Sequence, residues 1–129
     1  MFSLNDIAEV HRSVKTWADF PLYARTLKEM GVTAYDTFVS DGHAVYLWND
    51  KPLVSRAKYK ELLVAEKSNK EAFIERLKLH QSWGTDYMTF CRDCAENGVE
   101  KWTLDMKVGT CTYFDRNWEV LIIENFPKN

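Results

Sequence analysis

The stretch GVTAYDTFVSDGHAVY, residues 31–46, recurs in altered form as GVEKWTLDMKVGTCTY at residues 98–113, 67 positions later. The ungapped match keeps glycines and aromatic residues in step, pairing Gly31 with Gly98, Tyr35 with Trp102, Gly42 with Gly109 and Tyr46 with Tyr113. A match of this kind indicates an internal duplication. We therefore expect two pseudo-repeats, at about residues 3–66 and 69–126, within one domain that spans residues 1–129.

The quoted stretch has the composition of a β-hairpin that follows a helix. Gly31 suits a helix end, where a left-handed backbone is common. Residues 32–40 and 43–49 are rich in strand-forming residues. Asp41-Gly42 between them predicts a type I′ turn, because that turn needs a positive φ at both central positions.

The rest of the chain predicts the same order of elements twice. Helices are expected after Ser3, after Asp19, after the Ser68–Glu71 capping box and after Asp86. Strands are expected at 32–40, 43–49 and 62–66, with a loop at 50–60, and again at 99–106, 110–115 and 118–125. Two ααβββ units predict an α+β fold in which an antiparallel sheet carries helices on one face.

The composition of the chain limits the classes of function that it can have. The chain has 129 residues, of which 46% are apolar and 28% charged, which suits one globular domain. The net charge of −2 without a basic block argues against nucleic-acid binding. No run is apolar enough to span a membrane and the N-terminus does not read as a signal peptide. Three cysteines do not form a disulfide framework, so a cytoplasmic protein is expected.

The cysteines form the most conspicuous motif, Cys91-Arg-Asp-Cys94 with Cys111 further on. A redox pair would belong at a helix start, whereas this pair falls within a predicted helix. A zinc site with His80 would have unusual spacing. The repeat equivalents are small or apolar, namely Ala24, Leu27 and Ala44. Core thiols are therefore favoured, and neither a metal nor a cofactor is expected.

Five residues are candidates for ligand binding, and none is assigned a catalytic role. His43 follows the Asp41-Gly42 turn, where Asp41 could orient its ring. The aromatic candidates are Tyr46, Trp48 and Trp118 on hairpin strands. His11 and His80 border apolar stripes and are expected at the edge of the core.

Three phrases carry a family resemblance: ADFPLYARTLKEMGVTAYDTFVSDGHAVY at 18–46, TDYMTFC at 85–91 and GVEKWTLDMKVGTCTYFD at 98–115. With them the chain resembles the YbcV-like family of small bacterial and prophage-associated proteins over nearly its whole length, most weakly at 47–60. The resemblance implies a domain of unknown function, sometimes labelled a phage envelope protein. It supplies no active site to transfer.

Two classes of function stay open on the sequence. Aromatic residues make up 14% of the chain, including five tryptophans, and no catalytic signature accompanies them. This favours a small non-enzymatic binding or interaction module, for which a homodimer is one form of assembly. The alternative is a small-molecule-binding protein or enzyme with its site between the two halves near His43. Whether the protein is an enzyme is left undecided.

Overall fold

A computed structural model of the protein describes residues 20–48, 51–83 and 86–125. The helix expected after Ser3, the cap at Asp19 and His11 lie outside these residues. The elements, in chain order, are α1 Phe20–Glu29, β1 Val32–Phe38, β2 Ala44–Trp48, β3 Lys51–Val54, α2 Lys70–Trp83, α3 Tyr87–Glu96, β4 Lys101–Asp105, β5 Thr110–Phe114 and β6 Val120–Asn125. The described helices and strands confirm the expected α+β class.

All six strands form one antiparallel sheet with the order β3-β2-β1-β4-β5-β6. The first strand of each half therefore lies at the centre, and the third strand of each half lies at an edge. The two halves share a single sheet, which is why their apolar residues can form one core.

The pairing of the two central strands is symmetric about one residue pair. Asp36 of β1 faces Thr103 of β4, and these two positions also match each other in the sequence repeat. The neighbouring pairs are related by the same 67-residue shift: Ala34 with Asp105 and Phe38 with Lys101, Tyr35 with Leu104 and Thr37 with Trp102. The backbone register thus follows the offset of the sequence match, while a common origin of the halves stays a prediction.

The three described helices pack on one face of the sheet, called here the inner face. Tyr23 of α1 contacts Tyr35, and Phe73 of α2 contacts Tyr113, both through edge-to-face rings. Phe90 of α3 lies 5.2 Å from Trp102, centroid to centroid. Buried residues of all three helices and the inner face form one core.

Helix α3 begins where the sequence predicted, directly after Asp86. The Asp86 side chain accepts a hydrogen bond from the Thr89 N–H, which caps the first turn. Gly98 follows with a φ of +81° and stops the helix. A side chain at Gly98 would meet the Ser68 backbone, so the glycine also allows the two segments to approach closely.

Two details of the first half differ from the sequence predictions. The third strand is β3, Lys51–Val54, and residues 62–66 form no strand, so placing a strand at 62–66 and a loop from 50 was wrong. The β1–β2 turn spans residues 39–43, and Gly42 has a positive φ whereas Asp41 does not, so the type I′ prediction was also wrong. The Gly42 N–H instead donates to the Phe38 carbonyl, which makes a wider turn.

The cap of α2 is shifted by one residue from the prediction. Asn69, and not Ser68, accepts a hydrogen bond from the Ala72 N–H. Asparagine caps helices about as well as serine, which accounts for a cap one residue later than expected.

Candidate functional site

The outer face of the sheet, opposite the helices, carries an unusual row of side chains. Strand register places Phe38, Lys101 and Phe114 side by side on β1, β4 and β5. His43 stacks on Phe38 with ring centroids 4.5 Å apart, and Trp118 meets Phe38 edge-on at 6.4 Å. These five residues are called the aromatic cluster below. Residues of both halves contribute to it.

Lys101 occupies the middle of the aromatic cluster. Its ammonium nitrogen lies 4.8 Å from the ring centroid of Trp118, 5.0 Å from that of Phe114 and 5.8 Å from that of Phe38. Its Nζ is also 3.6 Å from a carboxylate oxygen of Asp36, which in turn accepts a hydrogen bond from Thr103. The electron-rich ring faces and the carboxylate stabilise this one cation together.

Trp118 is held in a strained backbone conformation at the β5–β6 turn. Its φ is +62°, and no other non-glycine residue within the described ranges has a positive φ. Asp115 fixes this turn, because its buried side chain accepts hydrogen bonds from the backbone N–H groups of Asn117 and Glu119. The result is an indole that is 53% exposed although large apolar side chains are usually hidden.

Asp41 and His43 form a hydrogen-bonded pair at the margin of the aromatic cluster. Asp41 Oδ1 lies 2.6 Å from Nδ1 of His43 and also accepts the His43 backbone N–H at 2.9 Å. Burial raises the pKa of the Asp41 carboxyl, but these hydrogen bonds from His43 outweigh it and place the pKa below the ordinary 3.8. Asp41 thus stays ionised and orients the imidazole.

A second carboxylate lies within electrostatic reach of this pair. Burial raises the pKa of the Glu100 carboxyl, the Arg116 charge opposes the rise, and the negative charge of Asp41 adds to it. The Arg116 charge is the larger of the two electrostatic effects, so a cation of this chain already acts on Glu100.

A shallow apolar groove continues the outer face away from the aromatic cluster. It encloses about 240 Å³ and is lined mainly by Ala34, Val45, Leu47 and Pro52, with Asp36 at its polar side. Small-molecule sites in proteins usually measure roughly 300–1,000 Å³. The groove thus suits single apolar side chains better than a whole cofactor.

The structure brings three of the five predicted candidates together and separates the other two. Asp41, His43 and Trp118 meet at the aromatic cluster. Tyr46 points to the inner face, where it is buried beside Tyr35 with ring centroids 5.1 Å apart. Trp48 is partly buried and packs against the core. Neither of these last two residues reaches the aromatic cluster.

Sequence reasoning missed Phe38, Lys101 and Phe114 as members of this site. A signal for them was present, since side chains alternate between the faces of a strand. Along residues 32–40 this alternation sets Tyr35 and Thr37 on one face and Asp36 and Phe38 on the other. What the sequence did not provide was the β1–β4 pairing that sets Phe38 beside Lys101.

The cysteines lie in the core, as the repeat equivalents predicted. Cys91, Cys94 and Cys111 are buried thiols that are not joined in disulfides. Burial raises the pKa of Cys94 and of Cys111, so both stay protonated and unreactive. His80 is likewise buried and stacks on Phe90. The His, Cys, Asp and Glu side chains of the described segments form no group of three that could hold a metal ion.

Taken together, the fold and the site define an α+β protein in which the sheet face opposite the described helices presents an aromatic cluster. A family model described as "Protein of unknown function (DUF1398)" matches residues 8–125, and the chain belongs to this family. The comparison with curated proteins gave no match. Among the described helices, none has the length and apolar composition needed to cross a bilayer.

Proposed function

We propose that this protein is a non-enzymatic binding module and that it binds a basic, partly apolar protein segment at the aromatic cluster. The observation that carries the proposal is Trp118, an exposed indole held at a φ of +62° by the Asp115 turn. Such a backbone conformation costs about 1–3 kcal/mol and is found preferentially at functional sites. A packing role does not account for the cost, since the ring is half exposed.

The shape of the surface supports a macromolecular partner over a small molecule. Apolar side chains on this face are spread out and not enclosed, with Leu47 and Val54 on one side and Val120 and Ile123 on the other. Protein interfaces are enriched in aromatic anchors surrounded by such flat apolar area. The 240 Å³ groove next to Asp36 can accept one side chain of the bound segment.

Charge supports a basic partner. Lys101 shows that a cation is stabilised by the rings of Trp118 and Phe114. A second cation could stack on the exposed side of the Trp118 indole, and the Asp41 carboxylate lies at the margin of the same cluster beside His43. An arginine is the best fit, because its planar guanidinium stacks on an aromatic ring and pairs with carboxylates at once.

The test is a selection from a phage-displayed library of random peptides on the immobilised protein. We expect enrichment of sequences with arginine or lysine beside aliphatic or aromatic residues. Affinity should fall at least tenfold in Trp118→Ala, which corresponds to the 1–2 kcal/mol or more typical of an interface anchor. High salt should weaken binding, because the contact includes exposed charges.

Two further variants control the experiment. Trp118→Tyr keeps a ring at the same position and should retain most of the affinity. Leu63→Ala removes another exposed apolar side chain, from the segment before α2, and should leave binding unchanged. No enrichment, or enriched peptides that bind Trp118→Ala as tightly as the wild type, would contradict the proposal.

A second candidate function rests on the Asp41–His43 pair. An imidazole whose Nδ1–H donates to a carboxylate presents a lone pair at Nε2, the arrangement of a general base. The expected result is slow turnover of an activated ester or phosphoester that disappears in His43→Gln. Equal turnover in wild type and His43→Gln would remove this candidate.

The expected cytoplasmic location and the prophage association remain part of the proposal. Three buried thiols without a disulfide fit a reducing compartment. The resemblance of residues 18–46 and 98–115 to YbcV-like proteins supports the association with prophages. Fractionation of the native host with an antibody against the protein would test the location.

A further inference from the structure

The two edges of the sheet are protected to different degrees. Strand β3, KPLV, is four residues long and carries Lys51 and Pro52. Both residues discourage another strand from pairing, lysine by its charge and proline by its missing N–H. Strand β6, VLIIEN, is six residues long and contains neither lysine nor proline. An edge of this kind is a template for a further strand.

The side chains of β6 leave its edge apolar. Ile123 is 63% exposed and Val120 is also exposed. The one charged residue, Glu124, is engaged within the chain, because its carboxylate accepts hydrogen bonds from the Tyr113 hydroxyl and the Gln81 amide. Within the described strand β6, no charged side chain therefore disfavours pairing with a further strand, as Lys51 does on the opposite edge.

We propose that a second copy of this chain pairs with β6 in antiparallel orientation, so that two sheets join into one continuous sheet across a two-fold axis at Ile123. Paired residues of antiparallel strands point to the same face. Ile122 and Glu124 lie on the inner face and Ile123 on the outer face, since they pair with Tyr113, Cys111 and Thr112. In a register centred on Ile123, each residue pairs with one on the same face of the joined sheet. A shift of one residue would pair inner-face residues with outer-face residues.

The same register is self-complementary in charge and apolarity. Ile123 faces its own copy, which forms an apolar cross-strand pair. Glu124 faces Ile122 of the second copy, so no two carboxylates oppose each other. The inference does not rest on the proposed function, because it uses the strand edge and not Trp118.

The experiment is analytical ultracentrifugation of the full chain over a range of concentrations. We expect a reversible dimer for the wild type. Ile123→Lys should be monomeric at the same concentrations, because two lysines would meet at the axis. Val54→Lys is the matched control: Val54 is 56% exposed and lies on the outer face of the other edge strand, and this variant should still form the dimer.

A second variant tests the register. Ile123→Cys should form an intermolecular disulfide on mild oxidation, because the two side chains face each other across the axis, whereas Val54→Cys should not. A wild type that stays monomeric at all concentrations would overturn the inference. So would loss of the dimer in both lysine variants, or a dimer in which Ile123→Cys does not cross-link. Circular dichroism of each variant checks that it is folded.

Discussion

The two halves of the sheet agree in their first two strands and differ in their third. Tyr35 pairs with Tyr46 in the first half, and Trp102 pairs with Tyr113 at the equivalent positions. Both pairs are buried on the inner face. The third strands are paired differently. Tyr46 pairs with Leu53 of β3, whereas Tyr113 pairs with Ile122 of β6. Ile122 lies two positions beyond the residue that matches Leu53 in the repeat.

The cause of the difference is the connection before the third strand. Strand β3 begins three residues after the end of β2, whereas β6 begins six residues after the end of β5. The longer connection contains the Asp115 turn and the exposed Trp118. What the halves share builds the core, and where they differ they create the two candidate binding surfaces, the aromatic cluster and the β6 edge.

The largest expected effect compares equivalent core positions, Leu27 and Cys94. Both side chains are fully buried. Leu27→Ala should reduce the free energy of unfolding by about 2–5 kcal/mol, because it removes three carbon atoms and leaves a cavity. Cys94→Ala should cost about 1 kcal/mol, because it removes a single atom from a small apolar side chain. Urea denaturation measures both values. Equal costs would mean that the Cys94 thiol does more than fill space.

The next effect compares the turn glycines, Gly42 and Gly109, with φ values of +76° and +81°. An added Cβ at Gly109 meets nothing within 4 Å. Gly109→Ala should therefore lower the free energy of unfolding by about 1–2 kcal/mol, which is the cost of a left-handed backbone for a residue with a side chain. At Gly42 the Cβ would lie 2.5 Å from the Tyr59 ring, whose hydroxyl is bound to the Val39 carbonyl. Gly42→Ala should therefore cost about 1–3 kcal/mol more, from overpacking. Thermal unfolding of the two variants decides this, and equal melting temperatures would show that the Tyr59 ring moves freely.

Much of this fold could be predicted because local signals agree with the tertiary structure. Asp86 and Gly98 bound α3 as helix caps do, and the repeat identified the cysteines as core residues. The prediction failed at β3, where Pro52 suggested a loop although proline is tolerated on an edge strand.

The candidate site was only partly predictable for a related reason. Asp41 and His43 are neighbours in sequence, so their contact follows from local geometry. The meeting of Phe38 with Lys101 and Trp118 depends on strand order and on a turn conformation. Neither of these is encoded in a short motif.

The smallest effect concerns the turn of the first half that carries Asp41 and His43. The equivalent turn of the second half has Val108 at the position that matches Asp41. A carboxyl whose pKa is lowered on folding stabilises the protein above pH 3.8, and this contribution is lost as the pH falls through the lowered value. His43→Ala removes the ring hydrogen bond, so the titration midpoint of Asp41 should move up toward 3.8. Carboxyl-detected NMR follows this midpoint directly. An unchanged midpoint would mean that the backbone N–H alone sets the pKa.

The most direct test of the central claim is an NMR titration of the ¹⁵N-labelled protein with an amidated Arg-Leu-Arg peptide, with Glu-Leu-Glu as the control. The account predicts shifts of the Trp118 indole N–H and of the backbone amides of Phe38 and Lys101, for the basic peptide alone. The amides of α1, α2 and α3 should not move. Shifts confined to the helices, or an equal response to the acidic peptide, would contradict a basic-partner surface on the outer face of the sheet.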